Sequence, residues 1–325
     1  MSRHGTNMDY SQLLKNLQPN FSVFIPFLKF EKELLQELLL ADQNIVFHNA
    51  QYFLVNNCNL HPVWAQEKLS QCKVLPFKTK SEAIRILKSM PNLGVYFETD
   101  ANSRMAAGLR RELRELKTKR IEFRVPSTFN FRYFAWGLLD DTHLLICESP
   151  DSRFPLGWHE FVEDKNTPPN RAYLKIWEIL CLDYIQLSRK DRVIDLGSSP
   201  GGWSWALSHY TEKVYSIDKA ELSPEILRRT NITYKAQDAF QVNPADYTDC
   251  TWIFSDIICT PQRLLTLVDH WQKNSGIQNY VCTIKFKGTC DFTVLKEFNR
   301  YENSRIVHLY QNKNEVTWIK QGKRK

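Results

Sequence analysis

The stretch Val193-Ile194-Asp195-Leu196-Gly197-Ser198-Ser199-Pro200-Gly201-Gly202-Trp203 constrains this chain more than any other. An apolar, strand-like run enters a glycine turn, and a helix-compatible run leaves it. Glycine adopts backbone angles closed to other residues and lets the main chain pass close to a ligand. In open α/β sheets such turns sit beyond the carboxyl ends of strands, where ligands bind. The spacing is G-x-x-x-G-G, stiffened by Pro200, and not the dinucleotide pattern G-x-G-x-x-G, which disfavours a nicotinamide enzyme.

Around this turn, strand-like and helical runs alternate at 193–196, 203–208, 214–217, 232–235, 252–255, 261–271, 280–284, 292–299, 306–310 and 316–320. A long amphipathic helix over 171–185 precedes them. The alternation predicts a doubly wound, mostly parallel α/β sheet. Only the polar stretch 311–314 separates the last two runs, a link that permits a terminal antiparallel hairpin but no parallel crossover.

Upstream the text reads as a smaller α+β domain over 20–150. Strands are expected at 22–28, 52–55, 94–97 and 121–125, with a pair at 135–138 and 144–148 around Asp140-Asp141-Thr142. Helices are expected at 31–41, at 63–70 after Pro62, from Ser81 as an N-cap, and at 104–116. Residues 1–19 read as a flexible leader and the proline-bearing stretch 151–170 as a linker.

Two acids follow the glycine turn. Asp218 closes the second strand, 21 residues after Gly197, where a carboxylate accepts ribose hydroxyls. Asp238 follows the third strand and could bond an adenine amino group, or be no more than a helix cap or turn residue. Turn and acids together describe a site for S-adenosylmethionine (SAM), lined by Gly197, Ser199, Pro200, Gly201, Gly202, Trp203, Asp218 and Asp238.

Composition narrows the partners. The 325 residues carry 43 Lys and Arg against 36 Asp and Glu, a net charge of +7 that makes a polyanion a natural partner without naming one. A hydrophobic content of 43% excludes a disordered chain. The 8 cysteines show neither C-x-x-C nor zinc-ligand spacing, and several lie in apolar runs, so reduced buried thiols, a cytoplasmic setting and no metal are expected. The runs 21–28 and 35–41 are too short or too charged to span a membrane, and the N-terminus has no apolar signal region. A monomer is the default expectation.

Asp195–Trp203 resembles motif I of the FtsJ/RrmJ-type ribose 2′-O-methyltransferases, Asp-Leu-Gly-x-x-Pro-Gly-Gly-Trp. Further segments follow in that family's order: Arg171-Ala172-Tyr173-Leu174-Lys175, Phe254-Ser255-Asp256, Thr283-Ile284-Lys285-Phe286 and Asn314-Glu315-Val316-Thr317. The nearest branch in resemblance is RlmM, which methylates a cytidine ribose of large-subunit (23S) ribosomal RNA. The resemblance covers about 154–320 and is weak over 20–150, where that branch carries an RNA-binding region with a THUMP-type domain. Ala172 departs from the pattern, standing where a serine is expected. The resemblance implies a Rossmann-like SAM-dependent fold over 171–325 and an RNA substrate. It also implies a catalytic tetrad of Lys175, Asp256, Lys285 and Glu315, with Asp256 also near the cofactor.

Methyl transfer to a 2′-hydroxyl needs a weak nucleophile aligned in line with the methyl carbon and relieved of its proton. A lysine held near other cations and partly desolvated can act as base. Lys285 takes that role, with Lys287 as rival. Lys175 orients the hydroxyl, Asp256 fixes the ammonium groups, and Glu315 holds Lys175 or the substrate.

Residues 104–124 add Arg104, Arg110, Arg111, Arg114, Lys117, Lys119, Arg120 and Arg124 against Glu112, Glu115 and Glu122, and Lys320, Lys323, Arg324 and Lys325 form a basic tail. These can contact RNA phosphates or form a solvated helix face. Phe129, Phe131, Tyr133, Phe134 and Trp136 favour strand packing over base stacking. The competing readings are a non-catalytic RNA-binding or ribosome-associated factor that retained the fold, and 2′-O-methylation of another RNA.

Overall fold

The computed structural model describes residues 10–19, 21–99, 103–114, 116, 118–123, 132–152 and 154–322. The leader residues 1–9, Glu115, Lys117, Arg124, Phe129, Phe131 and the tail 323–325 lie outside them. The chain divides into two units, Met1–Arg120 with Thr128–Glu160, and Ile121–Ser127 with Phe161–Lys325.

The first unit runs α1 (Tyr10–Asn16), β1 (Phe21–Pro26), α2 (Glu31–Leu40), β2 (Asn44–His48), β3 (Phe53–Asn56), β4 (Ala65–Pro76), α3 (Lys80–Ser89), β5 (Leu93–Tyr96), α4 (Ser103–Glu112), β6 (Tyr133–Leu138) and β7 (His143–Pro150). Its strands form one sheet in the order β2-β3-β1-β4-β7-β6-β5, antiparallel except where β5 meets β6. One apolar cluster gathers Val23, Leu54, Leu69, Ala135 and Cys147; another gathers Ala83, Leu87, Leu109, Trp136 and Ile146. Tyr133, Phe134 and Trp136 are core residues, in line with strand packing.

Several expectations are corrected in this unit. Residues 63–70 are no helix. They open β4, which pairs with β1 on one side and β7 on the other. Thr79, not Ser81, caps α3, its Oγ1 accepting from the Glu82 N–H at 3.2 Å. β2 was not anticipated. Of the strand expected at 121–125, the described residues show one bridge, Ile121 to Phe161. Phe123 instead stacks on Trp205 at 4.7 Å and meets Trp177 edge-on at 5.2 Å, inside the second unit.

The second unit runs α5 (Tyr173–Cys181), β8 (Arg192–Leu196), α6 (Gly202–Ser208), β9 (Lys213–Asp218), α7 (Pro224–Leu227), β10 (Ile232–Ala236), β11 (Trp252–Ser255), α8 (Pro261–Asn274), β12 (Asn279–Lys285), α9 (Phe292–Asn299), β13 (Ser304–Val307) and β14 (Glu315–Lys320). The sheet order is β10-β9-β8-β11-β12-β14-β13. The first five strands are parallel, and β14 is antiparallel to both neighbours. This is the doubly wound, Rossmann-like sheet with its terminal hairpin. Strand order reverses between β8 and β11, which places the ligand crevice at their carboxyl ends.

α5 is shorter than expected, and its residues Tyr173 to Ile179 are all buried, so it is a core helix and not an amphipathic one. Lys320 belongs to no exposed tail: it is buried in β14, and its Nζ donates to the Gln278 carbonyl at 3.0 Å.

Candidate active site

Where β8 ends, Gly197 adopts φ +78°, and a Cβ there would run into Ile257 of the loop after β11. Gly201 takes φ +115° as α6 begins, and a Cβ on Gly202 would collide with Asn170 Oδ1. Close approach of backbone to neighbours thus demands these glycines. Asp218 ties the turn down: its Oδ2 accepts from the Ser199 N–H at 3.0 Å and its Oδ1 from the Ala220 N–H at 2.9 Å.

A cavity of about 430 Å³ opens over this turn. Gly197, Ser199, Gly202, Trp203, Asp218, Asp238 and Asp256 line it as the sequence predicts; Pro200 and Gly201 are not among its walls and shape the turn from behind. Asp238 takes the cap role that the sequence allows. Its Oδ1 accepts from the Phe240 N–H at 3.0 Å and caps a short 3₁₀ turn, while the carboxylate still faces the cavity. Lys219, 2.8 Å from Oδ2, holds this carboxyl below its usual range.

Sequence reasoning missed Asn170, Asp195, Ser198, Phe240, Ile257 and Ile258, which also line the cavity. Asp195 was visible as the last polar residue before the turn. It is buried, and Ser204 Oγ donates to its Oδ2 at 2.6 Å. Among the described residues its Oδ1 has no hydrogen-bond partner, and burial pushes the carboxyl up to about 7. An unpaired buried acceptor is costly, and a ligand donor would satisfy it. Positive-φ glycines, strand-end acids and an orphaned carboxylate oxygen fit a polar, cationic ligand with a ribose.

The four tetrad residues converge beside this cavity. α5 brings Lys175, the end of β11 brings Asp256, the end of β12 brings Lys285, and the first residue of β14 is Glu315. Lys175 Nζ lies 2.5 Å from Glu315 Oε1 and 3.3 Å from both Asp256 oxygens. Lys285 Nζ lies 2.9 Å from Asp256 Oδ1 and donates to the Asp256 carbonyl at 2.6 Å. Two ammonium groups therefore share one carboxylate, and a second carboxylate fixes one of them. Lys287 is exposed and takes no part in the cluster. Ala172 lines the cavity wall in place of the expected serine.

Among the described residues, no group of three or more His, Cys, Asp or Glu could hold a metal ion, and no helix is long and apolar enough to cross a membrane.

A family model described as FtsJ-like methyltransferase matches residues 168–316. The ribosomal RNA large subunit methyltransferase M of Saccharophagus degradans is 31% identical over 124 residues, covering 36% of this chain and 35% of that protein. The protein of the same name from Xanthomonas axonopodis pv. citri is 29% identical over 199 residues, 55% of this chain and 56% of that one. The chain thus spans between about a third and just over half the length of these curated relatives. Among solved structures, the fibrillarin of Aeropyrum pernix superposes with a TM-score of 0.35 at 16% identity over 57% of this chain and 81% of that one, a likeness too slight to argue from. The family model described as FtsJ-like methyltransferase thus takes in both the glycine turn and the Lys175–Asp256–Lys285–Glu315 cluster.

Proposed function

We propose that this protein transfers a methyl group from SAM to a ribose 2′-hydroxyl of RNA, a cytidine of large-subunit ribosomal RNA being the favoured target. The observation that carries this reading is the pairing of Lys175 and Lys285 on Asp256 beside the cavity.

SAM supplies a methyl carbon on a positively charged sulfur, open to in-line displacement by oxygen. Asp218 and Asp238 offer acceptors to its ribose and adenine, and Asp195 Oδ1 offers one to its ammonium. Lys285, once its ammonium has given a proton to solvent, takes the hydroxyl proton at Nζ as the neutral amine. Lys175, held by Glu315, orients the hydroxyl oxygen. Asp256 keeps both lysine nitrogens at fixed distances, so the nucleophile meets one orienting donor and one proton acceptor. Such alignment and proton transfer are worth large factors in rate, the latter about 10²–10⁴-fold.

The first unit is assigned to RNA binding, as a diverged THUMP-like module. A cleft of about 160 Å³ supports this, with Tyr96 and Trp136 beside Arg110 and Arg114. The Arg110 guanidinium lies over the Tyr96 ring, 5.3 Å from its centre. Eight free cysteines support a cytoplasmic setting.

The test is transfer from labelled SAM to ribosomal RNA from cells lacking this protein, followed by nuclease mapping. Label in a 2′-O-methylnucleoside of large-subunit RNA is expected. Lys285→Ala should abolish transfer with SAM binding intact, and Lys287→Ala should retain it. RNA retention without SAM affinity would replace this reading with that of a binding factor.

A further inference from the structure

We infer that Glu178 is a positioning residue, one that sets Glu315 against Lys175. The inference rests on the proposed methyl transfer and concerns how its cluster is held together. Glu178 lies three residues after Lys175 on α5, so the two occupy adjacent turns of one helix face. It is 1% exposed and is not among the residues that line the cavity. Its Oε1 accepts from the Tyr310 N–H at 2.6 Å and its Oε2 from the Gln311 N–H at 3.0 Å.

Those two amides belong to the turn that delivers Glu315. From Gln311 the chain needs only four residues to reach the start of β14. The turn is fastened throughout. His308 Nε2 meets the Lys313 carbonyl at 3.1 Å, and the Asn312 N–H donates to the Leu309 carbonyl at 2.9 Å. Asn314 Nδ2 donates to the Phe286 carbonyl at 3.2 Å and also reaches that of Gly288, just past Lys285. The span 310–315 is thus bound to α5 at both ends, by Glu178 to the amides and by Glu315 to Lys175. A carboxylate gives each of the two consecutive amides an oxygen of its own, and a charged acceptor strengthens both bonds. An apolar residue would pack in the same space and leave both N–H groups without partners, at about 1–3 kcal/mol each.

A lysine oriented by Glu315 is no better placed than Glu315 itself. Loosening the turn should move the Glu315 carboxylate, release Lys175 to swing with Asp256, and misalign the hydroxyl. The SAM pocket, built on β8 to β11, should be untouched.

The experiment is a double-mutant cycle in the full chain, reading transfer from labelled SAM to large-subunit ribosomal RNA. Glu178→Gln should lower kcat about tenfold or more, with the Kd for SAM within twofold of the parent. In a Glu315→Ala background the same change should cost nothing further, because the two residues act through one position. Equal losses in both backgrounds would mean a purely structural role and overturn the inference, as would an unchanged kcat. If the parent transfers no methyl, the proposed function fails, and amide hydrogen exchange then decides on Glu178. Glu178→Gln should speed exchange at 310–315 at least tenfold over the parent, and unchanged exchange overturns the inference. Should Glu178→Gln fail to fold, Glu178→Asp, which withdraws the charge by one methylene, serves both comparisons.

Discussion

Glu315 stands directly opposite Lys285 in the β12–β14 ladder, yet it gives its carboxylate to Lys175, 2.5 Å away. Lys285 is left to Asp256 alone. The two lysines therefore differ in their partners: Lys175 is held by two carboxylates, and Lys285 by one carboxylate and one backbone carbonyl. That asymmetry suits an orienting group and a proton acceptor.

Glu315→Ala should be costly to stability as well as to transfer. The Lys175 and Glu315 side chains are 10% and 13% exposed, so removing the acid leaves a nearly buried ammonium with only Asp256. Breaking such a pair costs about 3 kcal/mol or more. Urea unfolding followed by tryptophan fluorescence measures it, and a loss under about 1 kcal/mol would contradict the assignment.

Gly197→Ala should weaken SAM binding severely. Its φ of +78° costs a side-chain-bearing residue about 1–2 kcal/mol, and the new Cβ would displace Ile257 from the cavity wall. Calorimetric titration with SAM reports the change; a Kd equal to the parent's would show that the turn has room the structure denies it.

Affinity for SAM should rise with pH through about 7. Burial pushes the Asp195 carboxyl up to about 7, and a cationic ligand favours its ionised form. Protons must therefore leave as the ligand binds below that pH. Asp195→Asn should bind more weakly and lose the pH dependence. A parent whose Kd is flat between about pH 6 and 8 would rule this contact out.

Stability should fall as pH rises from about 4.5 to about 8, through Glu67 of the first unit. Burial pushes its carboxyl up to about 8, against an ordinary 4.5. Between those values the folded chain keeps a proton that the unfolded chain has released, so the stabilisation is full below 4.5 and lost by about 8. Glu37, pushed up to about 7, acts with the same sign. Glu67→Gln keeps an oxygen for the Asp151 and Ser152 amides, which Oε1 now serves at 3.1 and 3.0 Å. Its Tm should fall less over this range than that of the parent; parallel curves would refute the assignment.

The second unit was legible because its signals are local. Strand-end acids, a glycine turn and a two-strand hairpin each show within a dozen residues. The tetrad was legible only through resemblance, since nothing in Lys175 or Glu315 alone distinguishes them from surface charges. The first unit hid its longest strand. Ala65-Gln66-Glu67-Lys68-Leu69 is written in helix-forming residues, and pairing on both sides overrode that preference. The alternation of buried Glu67 and Leu69 also breaks at Gln71, which takes φ +54° and is exposed, so that Cys72 is the next buried residue. Glu178 gave no sign at all, because its partners are backbone amides more than a hundred residues away.

The course of the chain through its two units has a practical side. It leaves the first unit at Arg120, returns at Thr128 and leaves again at Glu160. Phe123, carried over in that brief excursion, fills the space among Tyr173, Trp177 and Trp205. A fragment cut at the proline-bearing stretch would begin after this ring and bare a patch of indole. A chimera that grafts the second unit onto another relative's first unit would inherit someone else's plug. Whoever exchanges these parts must move 121–127 with the half that follows it, though it is written inside the half that comes before.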